Sequence, residues 1–531
     1  MRSRVRQLSW PARLVRTIAA CALVFATVAV PGATPAGAGT AITGAGSTWS
    51  QIAVDQWRAD VAGQGVAVNY QGVGSTSGRV FYYQDQVDFA VSEIPFQHEV
   101  RDNAGNIIYY DEASRAAHRP YAYMPIVAGG TSFMYHLDIN GQRVTNLNLS
   151  GAAIARIFTG VITFWDDPAI KVTNPTLPLP HLPIRPVIRS DGSGTTAQFT
   201  AYMSHQTSDV WNAFCEKVGI HLNPCPSTSL YPPFQGSIAQ QYSDGVAGYV
   251  ASSYANGAIT YVEYGYAKQR GFPVANLQNK AGFFAQPVAA AVSLALQAAT
   301  FNADGTQNLV GVYNNPDRRV YPMSSYSYMI APTSTAPPFN ASKGDTLGRF
   351  ILYFVCAGQQ KAEELGYAPL PRNLVQYAFG VEQRIPGAPK PPALSDCHNP
   401  TIDGTYNPPE PVSVAPPSAG GSTTGAGGSS NALTAAQRRA AAARARALAA
   451  GRNAAGQANT AAGGSNASTD PSASGTDPTG ELVSNLAPVS LPTQKAPVPL
   501  LFYIAAVLAL LLVLFGPPAL AVWLRRDRPK P

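Results

Sequence analysis

Ile188-Arg189-Ser190-Asp191-Gly192-Ser193-Gly194-Thr195-Thr196 follows the apolar run Pro186-Val187-Ile188 and leads into a helix-like segment, Ala197-Gln198-Phe199-Thr200-Ala201-Tyr202-Met203. A chain that leaves a strand, turns on two glycines and enters a helix carrying hydroxyls aims unpaired backbone N–H groups outward, and such a corner attracts an anion. Arg189 adds a planar, permanently charged fork suited to a tetrahedral oxyanion. Asp191, two residues on, is close enough to hold that guanidinium in place. The stretch reads as half of an oxyanion clamp.

Two earlier loops supply the other half. Thr43-Gly44-Ala45-Gly46-Ser47-Thr48-Trp49 precedes a helical pattern through Ile52, Val54 and Trp57, and Gln71-Gly72-Val73-Gly74-Ser75-Thr76-Ser77-Gly78 follows the strand-like Val66-Ala67-Val68-Asn69-Tyr70. A single Gly/Ser-rich turn is more often plain loop chemistry than an anion site. Three in one chain, all at strand-to-helix turns and one beside an arginine, point to oxyanion binding. The alternating strand and helix patterns predict α/β layers.

Several segments carry a resemblance. Gly44-Ala45-Gly46-Ser47-Thr48, Asn69-Tyr70-Gln71-Gly72-Val73-Gly74-Ser75, Val87-Asp88-Phe89-Ala90-Val91-Ser92-Glu93, Phe164-Trp165-Asp166-Asp167, Asp191-Gly192-Ser193-Gly194-Thr195 and Tyr261-Val262-Glu263-Tyr264-Gly265-Tyr266-Ala267-Lys268-Gln269 resemble the PstS family, the phosphate-binding proteins of bacterial phosphate ABC transporters. The motifs keep the family's order over residues 41–395, and the tail beyond 400 has no counterpart in the family pattern. The resemblance implies a two-lobed periplasmic-binding-protein fold of type II that closes over its ligand by a hinge motion. Lobe one would comprise 41–124 and 321–395 and lobe two 125–320, with crossovers near Tyr123-Met124-Pro125 and Val320-Tyr321-Pro322.

The resemblance also implies roles for single residues. Thr48 matches a hydroxyl donor, Trp49 a position whose backbone N–H contacts the anion, and Ser75 the second-loop serine. Arg189, Ser193, Gly194 and Thr195 match the third-loop ligands, and Asp191 the acid that orients the arginine. Ser193 and Thr195 also suit ordinary helix capping. Glu93 stands where the family has aspartate, an acceptor that admits an oxyanion only if the anion brings its own proton. Its extra methylene means that either the loop is set back or the acceptor geometry differs. The plainer alternative is a solvated carboxylate before Pro95. The expected function is capture of inorganic phosphate and its delivery to an ABC permease, without enzymatic activity, cofactor or metal. Alternatives are another oxyanion, a phosphatase or serine hydrolase, or a surface adhesion role, but no G-x-S-x-G elbow or Ser/His/Asp order supports hydrolysis.

The remainder of the chain is organised around export. Residues 1–38 carry Arg2, Arg4, Arg6, Arg13 and Arg16, an apolar run from Ile18 to Val30 and an Ala36-Gly37-Ala38 ending, the pattern of a secretory signal peptide. Cys21 begins the apolar run, whereas a lipid-modified cysteine follows it. Removing the signal leaves Cys215, Cys225, Cys356 and Cys397, an even number in an exported chain, so pairing is expected. Sequence neighbours give Cys215–Cys225 and Cys356–Cys397, with two other connectivities open. The seven histidines are scattered and no CxxC or HExxH occurs, which argues against a metal site.

From 400 to 497 the composition predicts a disordered low-complexity spacer, rich in Pro, Gly, Ser and Thr at first and then in Ala and Arg. Residues 499–524 form an apolar run long enough to span a bilayer, where about 20 residues suffice. The basic residues of 525–531 place that end on the cytoplasmic side. The expected location is therefore the cell membrane, single-pass through this helix, with the lobes extracellular. Of the net charge of +7, the signal, spacer and tail account for more than the whole, leaving the folded part near −4. Long-range attraction cannot hold an anion there, so local donors must. The same balance, with no basic patch interleaved with aromatics, argues against nucleic acid as a partner.

Overall fold

In the computed structural model, which describes residues 39–101, 107–407, 410 and 413–416, strands and helices alternate around one eight-stranded mixed sheet. Its strands are β1 (Ile42–Gly46), β2 (Val68–Gly72), β3 (Phe89–Ser92), β4 (Tyr121–Tyr135), β5 (Arg185–Arg189), β6 (Ile238–Gln240), β7 (Ala258–Glu263) and β8 (Ser324–Pro332). The spatial order is β6-β5-β7-β4-β8-β3-β1-β2. β1 runs parallel to β2 and β3, and β5 runs parallel to β6 and β7. The two parallel triplets are joined through the antiparallel pair β4 and β8. Every residue of β3, β7 and β8 is buried, as expected of strands covered on both faces.

The helices that follow these strands set up the site. They are α1 (Gln51–Ala62), α2 (Ser75–Tyr83), α3 (Gly194–Gln206), α4 (Tyr242–Ala251) and α5 (Tyr264–Arg270), after β1, β2, β5, β6 and β7 respectively. α1 buries Ala53, Val54, Trp57 and Val61, one stripe at helical spacing. Trp57 stacks on Phe354 at 5.2 Å between ring centres and donates its indole N–H to the Gly358 carbonyl at 3.0 Å. Phe354 belongs to α6 (Ala341–Val355), which thereby locks α1 to the sheet. Because five of the six parallel strands feed a helix at their C-terminal end, β3 being the exception, the helix N-termini gather along that edge, where ligands of open α/β sheets sit.

Local details depart modestly from the sequence reading. The helix expected from Ala197 starts at Gly194 and runs to Gln206, while the strand expected from Val66 to Tyr70 is Val68–Gly72. Both disulfides form in the sequence-neighbour pairing, Cys215–Cys225 and Cys356–Cys397. Part of the stretch expected to be spacer from 400 is held by the rest of the chain. Thr401 donates its hydroxyl to the Leu370 carbonyl at 2.7 Å, Glu410 pairs with Arg319 at 2.9 Å, and Ser413–Val414 adds an antiparallel strand to Phe284–Ala285. These residues bury little apolar surface of their own. Their backbone and charged groups are satisfied by neighbours, which composition does not reveal. The signal segment, nearly all of the spacer, the apolar run 499–524 and the tail 525–531 lie outside the described residues. No helix among the described residues is long and apolar enough to cross a membrane.

Two predictions follow from the packing. α2 crosses β1 so closely that a Cβ added at Gly78 would overlap the Gly46 Cα, and Gly46 itself, at φ +140°, lies against the Val91 carbonyl. Gly78→Ala should cost about 1–3 kcal/mol in denaturant unfolding, the usual effect of overpacking. Glu382 is fully buried, neither carboxylate oxygen has a hydrogen-bond partner among the described residues, and burial pushes its carboxyl up to about 8. A carboxyl raised in the folded state contributes stability that is whole below its unfolded value and is lost as pH rises through its folded value. Glu382→Gln should therefore raise Tm by at least ~3 °C at about pH 8 and change it little near pH 4.5, as read by calorimetry.

Candidate functional site

Five chain corners meet at the C-terminal edges of the two triplets. β1 delivers Ser47, Thr48 and Trp49, β2 delivers Gly74, Ser75 and Thr76, and β3 delivers Glu93, while β5 delivers Arg189 through Thr195 and β6 delivers Ser243. The corners touch. Gly194 N–H donates to Ser75 Oγ at 3.1 Å, Thr76 N–H donates to the Gly192 carbonyl at 3.1 Å, and the hydroxyls of Thr48 and Ser243 lie 2.9 Å apart. Glycine is required for this approach, since a Cβ at Gly192 would overlap Thr76 and one at Gly194 would overlap Glu93. Every site residue expected from the sequence, namely Thr48, Trp49, Ser75, Glu93, Arg189, Asp191, Ser193, Gly194 and Thr195, is brought into this region and buried, apart from partly buried Asp191.

Arg189 is 2% exposed and is held by Asp191 through two bonds, from Nε to Oδ1 at 2.7 Å and from Nη2 to Oδ2. Its Nη1 reaches Ser243 Oγ at 3.3 Å. Asp191 Oδ1 also accepts from Tyr242 N–H at 2.8 Å, fixing the start of α4, where Tyr242 takes φ +60°. A non-glycine residue in that region is strained and is held there by its surroundings. The acid thus orients the guanidinium and anchors a second corner.

Glu93 is completely buried, which excludes the solvated alternative. Its Oε1 accepts from Ser47 Oγ at 2.5 Å and Ser327 Oγ at 2.7 Å, and its Oε2 accepts from Ser75 Oγ at 2.7 Å. Burial pushes the carboxyl above its ordinary range, while the three hydroxyls and the nearby Arg189 pull the other way. The Glu93 carbonyl accepts from Gln198, Gln307 and Tyr328, so the residue's backbone is pinned as well.

Four expected ligand groups are engaged within the protein: Gly194 N–H donates to Ser75 Oγ, Ser75 Oγ donates to Glu93, and Trp49 and Ser193 also find partners in the chain. Trp49 N–H, expected to face an anion, donates to Ser47 Oγ at 3.0 Å because that hydroxyl lies between it and Glu93. Ser193 Oγ accepts from Thr196 N–H at 3.2 Å and so caps α3, the ordinary role weighed beside ligand binding. Thr195 Oγ1 is buried and has no hydrogen-bond partner among the described residues. Ser47, Ser243 and Ser327 were not anticipated. Ser47 lies inside the first glycine corner and was legible there, whereas Ser327 sits 234 residues from Glu93 on a strand with no motif. No group of three or more His, Cys, Asp and Glu side chains suited to a metal occurs among the described residues.

A family model described as the PBP superfamily domain matches residues 32–357. A phosphate-binding protein PstS of Xylella fastidiosa is 32% identical over 336 residues, which is 63% of this chain and 83% of the relative. Another, from Haemophilus influenzae, is 30% identical over 348 residues, covering 65% of this chain and 93% of the relative. The chain belongs to the PstS family. Among solved structures, a high-affinity periplasmic phosphate-binding protein bound with phosphate is 20% identical, covers 64% of this chain and 93% of its own, and superposes with a TM-score of 0.49. In this PstS-family chain the arginine and its acid form a buried pair whose two charges depend on one another. Asp191→Ala leaves the Arg189 charge uncompensated and should cost about 3–5 kcal/mol, measured as the shift in urea midpoint multiplied by the unfolding slope.

Proposed function

We propose that this PstS-family protein captures inorganic phosphate outside the cytoplasm and hands it to an ABC permease. The observation that carries the reading is the convergence of three glycine-punctuated corners on one buried arginine and one buried carboxylate. Oriented N–H groups, hydroxyls and a guanidinium supply donors for a tetrahedral anion, and Glu93 supplies an acceptor for a proton that the anion carries. Monohydrogen phosphate meets both demands. Sulfate, fully ionised, presents an unprotonated oxygen to the carboxylate and is rejected. The chemistry is binding rather than catalysis, and the relatives named above are binding proteins by their printed names.

The parallel triplets supply the two walls of the crevice. We assign lobe one to 41–124 with 321–395 and lobe two to 125–320, hinged where the chain crosses near Tyr123-Met124-Pro125 and Val320-Tyr321-Pro322. In support, Pro125 lies on β4 and faces Tyr328 at the point where the β4–β8 register shifts. The bonds between Thr48 and Ser243 and between Ser75 and Gly194 are then contacts of a closed form, which part to admit the guest. The export segment at 1–38, the spacer and the apolar run 499–524 with its basic tail make the lobes a membrane-tethered receptor on the outer side.

Several charge-assisted hydrogen bonds of about 1.5–3 kcal/mol each support micromolar or tighter affinity, about −8 kcal/mol. Calorimetric titration of the chain with phosphate, sulfate and arsenate should show phosphate binding in that range. Arg189→Ala should weaken it by about 100-fold or more, since the remaining donors would face an uncompensated anion. Glu93→Gln, whose amide can donate as well as accept, should raise sulfate affinity relative to phosphate, and an unchanged ratio would place Glu93 outside the binding site.

A further inference from the structure

We propose that Ser47 and Ser327 are specificity-determining positioning residues, which hold Glu93 as a proton acceptor with a single seat left for the guest. The proposal rests on the phosphate-capture reading above and adds to it two residues that no motif marks.

The hydrogen positions follow from counting. Ser47 Oγ accepts from Trp49 N–H at 3.0 Å, so its one proton is free for Glu93 Oε1 at 2.5 Å. Ser75 Oγ accepts from Gly194 N–H at 3.1 Å, so its proton goes to Glu93 Oε2 at 2.7 Å. Ser327 Oγ donates to Oε1 at 2.7 Å, a shorter approach than its 3.2 Å to Ser50 Oγ. A carboxylate offers about four lone-pair sites. Two are taken on Oε1 and one on Oε2, leaving one, and it belongs to the oxygen that a Cβ on Gly194 would overlap. The open seat therefore lies at the N-terminus of α3, the helix whose Thr195 hydroxyl has no hydrogen-bond partner among the described residues. An anion oxygen that carries a proton fits it, and one without a proton does not.

Ser327 sits at an irregularity in the sheet. The register between β8 and β4 shifts between Ser327 and Tyr328, with Tyr328 facing Pro125, a residue that has no N–H to give to the ladder. The extra residue there is Ile126 of β4, so the irregularity bends the strand facing Ser327. The charged or titratable groups around Glu93 are Arg189 from β5 and the phenols of Tyr70, Tyr328 and Tyr367, whose burial keeps them neutral. With Arg189 already bound to Asp191, the hydroxyls are the groups that most directly oppose the cost of burying the Glu93 charge. Removing both donors from Oε1 favours the protonated acid in mildly acidic solution. A protonated Glu93 becomes a donor and accepts sulfate.

The test is phosphate and sulfate affinity of the full chain, by calorimetry, for the wild type, Ser327→Ala, Ser47→Ala/Ser327→Ala and Ser327→Thr at about pH 5.5 and about pH 8. The sulfate-to-phosphate affinity ratio should rise at least ~10-fold at the lower pH and much less at the higher one, most in the double variant and measurably in Ser327→Ala. Sulfate binding should then take up a proton, seen as a dependence of the heat on the buffer's ionisation enthalpy. Ser327→Thr, which keeps the hydroxyl, should restore discrimination. The proposal is overturned if the ratio stays at its wild-type value at both pH values, or rises equally at both, in either alanine variant. A wild-type chain that binds neither anion overturns the phosphate reading itself, so the two failures are distinguishable.

Discussion

The structure depends on satisfying a carboxyl group that is completely buried. Glu93 lies at the end of β3, between β8 and β1, and hydroxyls from three separate chain segments donate to it, opposing the cost of burying its charge. An isolated buried carboxylate would take up a proton instead. Each donor therefore constrains the fold. Ser47 requires the first glycine corner, Ser75 requires the start of α2, and Ser327 requires β8 to pass beside β3 at the irregularity it shares with β4. Arg189, clamped by Asp191 across the same crevice, supplies the opposite charge without quenching it.

This arrangement accounts for how a folded region with a net charge near −4 can serve an anion. The field of the whole protein is of the wrong sign, so selectivity must be generated within a few ångströms by oriented dipoles and one cation. The sheet topology makes that possible. Two parallel triplets bring their C-terminal edges, and the corners that follow them, into contact, so the donors are presented by regular elements. Bonds such as those from Gly194 N–H to Ser75 Oγ and from Thr76 N–H to the Gly192 carbonyl show that the walls fit closely enough to share hydrogen bonds directly.

The features that sequence made legible are local ones. Glycine-punctuated corners, the two-residue spacing of Arg189 and Asp191, and the ten-residue separation of Cys215 and Cys225 are all encoded within short windows, and each appears in the structure. Long-range contributions were not legible. Ser327 reaches Glu93 across 234 residues, Ser243 meets Thr48 across 195, and neither lies in a pattern that announces a site. The interception of Trp49 N–H by Ser47 depended on side-chain placement that no spacing rule supplies. The stretch after 400 reads as spacer by composition, yet part of it is held by Leu370, Arg319 and the strand at Phe284–Ala285. Its order comes from partners elsewhere in the chain.

The most direct measurement is a crystal structure of the protein grown with phosphate. The account predicts one tetrahedral anion between the two triplets, within hydrogen-bonding distance of both the Arg189 guanidinium and Glu93 Oε2, with Ser47 and Ser327 still on Oε1. An anion bound away from Glu93, or a Glu93 carboxylate turned out of the crevice with its serine partners released, would contradict it.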